Sequence, residues 1–463
     1  IKKMNHRVFI IKEFLKKEWF LLLTLLPLLF TIIFLQFTTP VWDESTKNIA
    51  FYSVFIYDIA IILVFLYKNH TFLFEKGEWL RNIITIVACG VVLLWTYKHK
   101  VTFRLDILLL FLCTLYGIIY RKYVKPTLLS VVFFVFIAIR IVGLLWAEHL
   151  EWGINVLIKE ENIIFFVLVP IILLGFSVSE RQQQSLIQIC FKGFLMLLVA
   201  NVVFYLFTIS SLGRSLFSFI TLNKGYLSYY EILFWSHFKH PSFISWIILA
   251  IGGLAFILWK KGKTLISISE LIIYAALVLC VALMVQARVV IISYFIVVAF
   301  FVFLSVEKHI KKSVKYIILG LFVLVGIGII SYLITHTAYF SDPIRNEIYN
   351  KAFAAIREGN IWIGNGTGYH RYIIGSYPFY VHNDFVATLV DTGILGLSIF
   401  VVWILCLLLS KDILKQFLVV VSLPIMNTDV LFYFFEYTYI VSVLLIFILL
   451  APRFKSVKHI LPN

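Results

Sequence analysis

The strongest constraint on this chain is the recurrence of unbroken apolar blocks about 16–25 residues long, the length at which a helix crosses the hydrocarbon core of a bilayer. In lipid, every backbone N–H and C=O must find its partner within the protein, so only helices and closed barrels can span. Barrel strands alternate apolar and polar residues, and these blocks do not. Spans are predicted near 20–37, 50–67, 81–97, 105–120, 127–147, 163–178, 186–209, 241–259, 270–286, 289–306, 315–334, 391–409, 416–428 and 430–450. The block at 416–428 is short for a full crossing, so the expectation is about 12–14 spans. Composition agrees: 62% of the residues are hydrophobic and 14% charged, against roughly half and a quarter in soluble chains. Little polar sequence remains for a soluble domain. Residues 1–463 therefore read as a single integral membrane domain, an all-α polytopic bundle.

The five cysteines, Cys89, Cys113, Cys190, Cys280 and Cys406, all fall inside apolar blocks. They have neither metal-ligand nor loop-disulfide spacing. The first block, Phe20–Phe37, follows a basic stretch without a small-residue cleavage site and reads as an uncleaved span.

Lysine and arginine set the orientation. With the basic stretch Ile1–Trp19 inside, about 25 of the 40 Lys and Arg residues lie on the cytoplasmic face. Those at 260–263, 308–315 and 453–458 are among them, and both termini are then cytoplasmic. The loop Lys98–Arg104 runs against this bias. The net charge of +16 flanks the spans, so anionic lipid explains it better than nucleic acid. Two long segments fall outside, 210–240 and 335–390, and they hold most of the polar chemistry.

The second of these is the more informative. Pro343 follows Asp342 as a helix start, and positions 344, 348, 352, 353 and 356 share one helical face. The pattern predicts an amphipathic helix lying on the outer surface. Gly364-Asn365-Gly366-Thr367-Gly368 reads as a tight turn or as a backbone cradle for phosphate. His382-Asn383 stands just before a span. Arg288 sits at an outer turn between two nearly uncharged spans, either as an anchor reaching the interface or as an anion clamp. Asp58 and Arg140 lie within spans, both about 10–12 Å below the outer surface by helical rise, and read as a structural ion pair ahead of a proton path.

His382-Asn383, the short helix after it and Gly393-Ile394-Leu395-Gly396-Leu397 running into a span resemble the pattern of the O-antigen ligase and polymerase superfamily. The Gly-x-Gly-x-Gly run, Gln286-Ala287-Arg288 and His240-Pro241 are similar to other parts of that pattern. The motifs cover residues 235–400; residues 1–200 match in hydropathy alone. The resemblance implies a GT-C type bundle facing outward and an undecaprenyl-diphosphate-linked glycan as donor. The acceptor would be a sugar hydroxyl, on lipid A–core for a ligase or on a second lipid-linked glycan for a polymerase. It implies His382 as general base, Arg288 as diphosphate clamp, and Arg345, His240 and Asn383 as further substrate-binding residues. These roles suit the residue types, since histidine exchanges protons near neutral pH and the arginine fork takes phosphate oxygens in pairs. Superfamily members usually carry a second arginine near the His240 loop. Here the nearest are Arg214, well upstream, and the non-equivalent Lys239, which leaves the second phosphate ligand open.

No metal is expected, because no outer cluster in the sequence has a divalent-cation constellation, and no cofactor is needed by an already activated donor. The expected setting is the bacterial inner membrane. A transporter or flippase is the rival from another class. It would show broken helices or repeated halves, and neither is visible in the sequence.

Overall fold

In the computed structural model, the described residues are 2–38, 41, 43–95, 99–120, 125–158, 169–214, 241–262, 264–285, 287–306, 311, 314, 317, 343–375, 381–428, 431, 435–450 and 453–454. They form helices almost throughout. In chain order these are α1 (Lys2–Phe37), α2 (Glu44–Leu73), α3 (Trp79–Leu94), α4 (His99–Tyr120), α5 (Leu128–Val142), α6 (Leu150–Leu157), α7 (Val169–Gly175) and α8 (Glu180–Ser211). Then come α9 (Pro241–Lys260), α10 (Ile268–Met284), α11 (Arg288–Val306), α12 (Pro343–Glu358), α13 (Tyr369–Tyr372), α14 (Asp384–Leu408), α15 (Ile413–Thr428) and α16 (Phe435–Leu444). A single 3-10 turn, Gly143–Trp146, extends α5, and a π-helical run, Leu445–Leu450, extends α16. Two strands of two residues each, Val178–Ser179 and Arg453–Phe454, pair in parallel.

Among the described residues, six helices are long and apolar enough to cross a membrane, and six shorter apolar helices accompany them. These twelve fall on twelve of the fourteen predicted spans. The block at 163–178 is described only from Val169, and 315–334 lies outside the described residues apart from position 317. The segment 210–240 is described only as far as Arg214.

The bundle is organised around α8, whose membrane-length window is 89% buried. A capping box starts it, Ser179 and Gln182 each bonding the other's backbone. Its first half carries polar side chains inward, and each has a partner. Gln182 donates to the Arg81 carbonyl, Gln183 to that of Phe447, and Gln188 accepts from the Leu265 amide. Lys192 forms a buried ion pair with Glu270, and the ammonium also stands over the Phe20 ring at 4.6 Å. Polar pairs of this kind join spans where lipid offers no hydrophobic drive between helices. Beside them, Gly193 leaves room for Leu93, so α3 and α8 approach closely.

A second group of helices builds the rest. α5 and α14 run antiparallel, with Phe133 against Trp403 at 5.4 Å and Phe136 against Phe400 at 5.1 Å between ring centres. Gly253 of α9 accommodates the Phe417 ring of α15, and Phe417 also packs on Phe300 and Phe301 of α11.

Candidate active site

The helix α14 is broken. At Gly393 the backbone takes φ 62° and ψ −163°, a region open essentially to glycine alone. The break releases backbone groups that lipid could not satisfy, and the glycine-rich segment before α13 takes them up. The amides of Asn365 and Gly366 donate to the carbonyls of Val390 and Asp391, both at 3.0 Å. The amides of Ile394 and Leu395 donate to the carbonyls of Ile361 and Trp362, at 2.9 and 3.0 Å. Residues 361–366 are thus stitched into the gap. The sequence pattern gave no sign of a broken helix; the break is a single residue wide and keeps the hydropathy of one span.

The Asp391 side chain locks this insertion. Its carboxylate accepts from the amides of Gly368 (3.0 Å) and His370 (2.8 Å), from the His370 ring Nδ1 (2.7 Å) and from Arg140 Nη2 (3.2 Å). Because a carboxylate only accepts, the His370 tautomer with hydrogen on Nδ1 is the one that fits. Arg140, His370 and Asp391 are all fully buried. Arg140 pairs with Asp391, brought opposite by the antiparallel α5–α14 register, a carboxylate partner that the sequence reading did not name.

The two readings of the glycine run are also decided. Gly366 and Gly368 have φ 93° and 89°, and a Cβ on either would overlap Ala147 or the Gly153 backbone. The amides of 364–370 are all taken by acceptors within the protein, including the Gly143 carbonyl for Thr367. The run is a tight turn held against residues 143–153 and has no free amides for a phosphate cradle.

Three of the candidate residues meet at one junction, where the starts of α12 and α14 reach the end of α15. His382 has φ 51° and is the one non-glycine residue with positive φ among those described. Histidine tolerates this region better than most residues, at a cost of about 1–2 kcal/mol. Its carbonyl accepts from Tyr349 Oη at 3.2 Å. Asn383 caps α14 by accepting from the Phe385 and Val386 amides, and its Nδ2 donates to the Asn427 carbonyl at 3.1 Å. Arg345 Nη1 donates to the next carbonyl, Thr428, at 3.1 Å. Asp384, fully buried, accepts from the Leu431 amide. Arg345 and Tyr349 are one turn apart on α12, and so neighbours on one face.

The helix α12 is not a loose surface helix. Ile348, Ala352 and Ala355 are buried, whereas Phe353, predicted on the same face, is 50% exposed. Five residues after Ile348 is too far around the helix to share its face.

His240 lies outside the described residues. Arg288 begins α11, and only its backbone is described. Trp246 of α9 shares a cavity with Met426 of α15, and Leu249 and Gly252 of α9 share another with Tyr294 and Val297 of α11. With Gly253 and Phe300 both on Phe417, α11 runs antiparallel to α15. Arg288 is 12 residues before Phe300 and Thr428 is 11 after Phe417, distances of about 18 and 17 Å along the helices. The start of α11 and the end of α15 therefore lie at the same end of this helix pair.

Sequence reasoning missed His370, Asp391 and Tyr349 as partners in this region. A usable signal existed for the first two: Arg140 and Asp391 are opposite charges inside predicted spans, and such charges require partners. Close by, His149 stacks on Tyr372 at 3.5 Å, and burial pushes the Tyr369 hydroxyl up from its ordinary pKa. Among the described residues, no group of three or more His, Cys, Asp or Glu side chains gathers as a metal site would.

Fold and site together define a polytopic α-helical membrane protein with a tied-down loop at one end of the bundle. Comparison with known proteins finds no family model that matches the chain and no matching curated relative.

The lock has a direct test. Asp391→Asn removes the carboxylate charge from the buried Arg140–Asp391 pair, and removing one partner of a buried pair costs about 3–5 kcal/mol. The variant should melt earlier in detergent and be cut by protease within 359–375. Wild-type melting and protection would mean that the carboxylate does not hold the loop.

Proposed function

We propose that this chain is a membrane-embedded, metal-independent glycosyltransferase that moves a glycan from undecaprenyl diphosphate to a sugar hydroxyl on the outer face, as an O-antigen ligase acting on lipid A–core. The observation that carries the reading is His382. It is a non-glycine residue in left-handed backbone, gripped at its own carbonyl and at the next residue's side chain. Strain kept in place by surrounding structure is a mark of functional sites. Arg345 and Asn383 converge beside it on consecutive carbonyls, and Arg288 begins α11, which packs against α15.

In this reading His382 takes the acceptor hydroxyl proton, and the oxygen attacks the anomeric carbon of the donor sugar. The glycosyl–phosphate bond breaks, and undecaprenyl diphosphate leaves with its added charge stabilised by Arg288 and Arg345. The isoprenoid tail stays in the bilayer. Both termini are cytoplasmic, the junction faces outward, and the membrane is the bacterial inner membrane. Polymerisation onto a second lipid-linked glycan uses the same chemistry with a different acceptor.

A transporter draws on one observation, the break in α14, since broken helices line transport sites. Here the backbone groups freed at the break are taken up by residues 361–366. The four groups so bonded are turned to the protein and not to a passage, which supports a fixed site rather than a moving one.

Orientation is tested by Glu358→Cys, at an exposed position at the end of α12. An impermeant maleimide should label it in intact cells; labelling in permeabilised cells alone would invert the topology and remove the reading.

The chemistry is tested on purified variants, with undecaprenyl-diphosphate binding and turnover measured separately. His382→Ala should keep binding and lose about 10²–10⁴-fold in turnover. Arg288→Lys should not restore what Arg288→Ala loses, because an ammonium cannot reproduce paired hydrogen bonds. Activity should persist in excess EDTA. Near-normal turnover by His382→Ala would remove the base assignment.

A further inference from the structure

We infer that Tyr349 is a positioning residue that sets the direction of the His382 imidazole; the inference rests on the reading of His382 as the base. The argument starts from the backbone. At φ 51° the His382 side chain leaves the chain in a direction that ordinary extended or helical backbone would not give it. Rotating the peptide unit between His382 and Asn383 would swing that direction, so whatever holds the unit fixes the Cα–Cβ bond from which the ring is carried in one of its staggered rotamers. It is held at both ends. On one side the Tyr349 hydroxyl donates to the His382 carbonyl at 3.2 Å. On the other, the Asn383 side chain is fixed by two amides of α14 and by the Asn427 carbonyl.

Tyr349 is well placed for this because it rides on a rigid element. The residue before it, Ile348, and Ala352 three residues after it are buried. Its ring lies 6.3 Å from that of Phe353 in a stacked arrangement. A site built on a packed helix is held more exactly than one built on a loop. Arg345, one turn earlier, is tied to the end of α15. A single turn of α12 thus fixes the direction of the base and supports the arginine beside it. Residues 343–358 then serve as a ruler between the two roles, which explains why an outer-loop helix is packed down by Ile348, Ala352 and Ala355.

The variant is Tyr349→Phe, which removes one hydroxyl and keeps the ring. It is studied in the full-length protein in detergent, with the lipid-linked glycan extracted from the host as donor and undecaprenyl diphosphate as the binding probe. The melting temperature and the binding of undecaprenyl diphosphate should match wild type, while kcat falls about tenfold, a modest share of what a positioned base contributes. Coupling supplies the readout that a purely structural residue would not move. Added to His382→Ala, Tyr349→Phe should cost nothing further on the residual turnover, because residues acting through one another are not additive. Wild-type kcat in Tyr349→Phe, or a full additive loss in the double variant, would overturn the inference and leave the base assignment standing. A His382→Ala protein with normal turnover would overturn both, and is read first. If Tyr349→Phe melts early, Tyr349→Trp, with a ring donor in place of the hydroxyl, is put through the same cycle. Additivity there would likewise overturn the inference.

Discussion

The structure depends on how a membrane helix is allowed to break. An interrupted helix at bilayer depth exposes amides and carbonyls that no lipid can satisfy. In α14 the interruption at Gly393 is one residue wide, and four backbone hydrogen bonds from residues 361–366 close it. The Asp391 carboxylate, adjacent to the break, then binds the two amides and the ring at the start of α13. Arg140 supplies the charge that makes the buried carboxylate tolerable. Burying such a pair is not a cheap route to stability. Its use here is specificity: the register of loop against helix is the one that brings the three loop donors, the Gly368 and His370 amides and the His370 ring, to Asp391 together.

That lock fixes the far end of the segment 343–375, and the junction fixes the near end. Between them α12 is held at both ends, by Arg345 on the Thr428 carbonyl and by Asn365, whose side chain donates to the Ala355 carbonyl. The left-handed His382 is sustained by this frame. The Tyr349 hydroxyl on its carbonyl and the Asn383 cap after it both oppose relaxation to ordinary backbone. The polar ladder along α8 does comparable work in the first half of the bundle, joining α3, α10 and the π-helical run through single hydrogen bonds and one ion pair.

Much of this was legible in the sequence, and the limits have physical causes. The spans were legible because length and hydropathy alone decide them. Asp384 and Thr388 lower the hydropathy of the first turns of α14, so hydropathy alone starts the span at 391 although the helix begins at 384. The glycine run was legible as a turn, but its four-bond insertion into α14 was not, because hydrogen bonds between segments leave no local pattern. Arg140 and Asp391 are 251 residues apart, and nothing in either segment names the other. Apolar character puts Phe353 on the face of Ile348, but it is exposed, because apolar character alone does not decide which neighbour a residue meets. The proposed base and two of its companions were legible only as residue types next to a span. Their convergence comes from the tertiary arrangement of α12, α14 and α15.

The proposal that this chain completes a lipid-linked glycan by joining it to its acceptor is most directly tested in the cell, by the glycan profile of a strain lacking it. Free undecaprenyl-linked polymer should accumulate while lipid A–core stays bare, and the wild-type chain should restore attachment where His382→Ala does not. Unchanged attachment of polymer to core in the deletion strain would contradict the account.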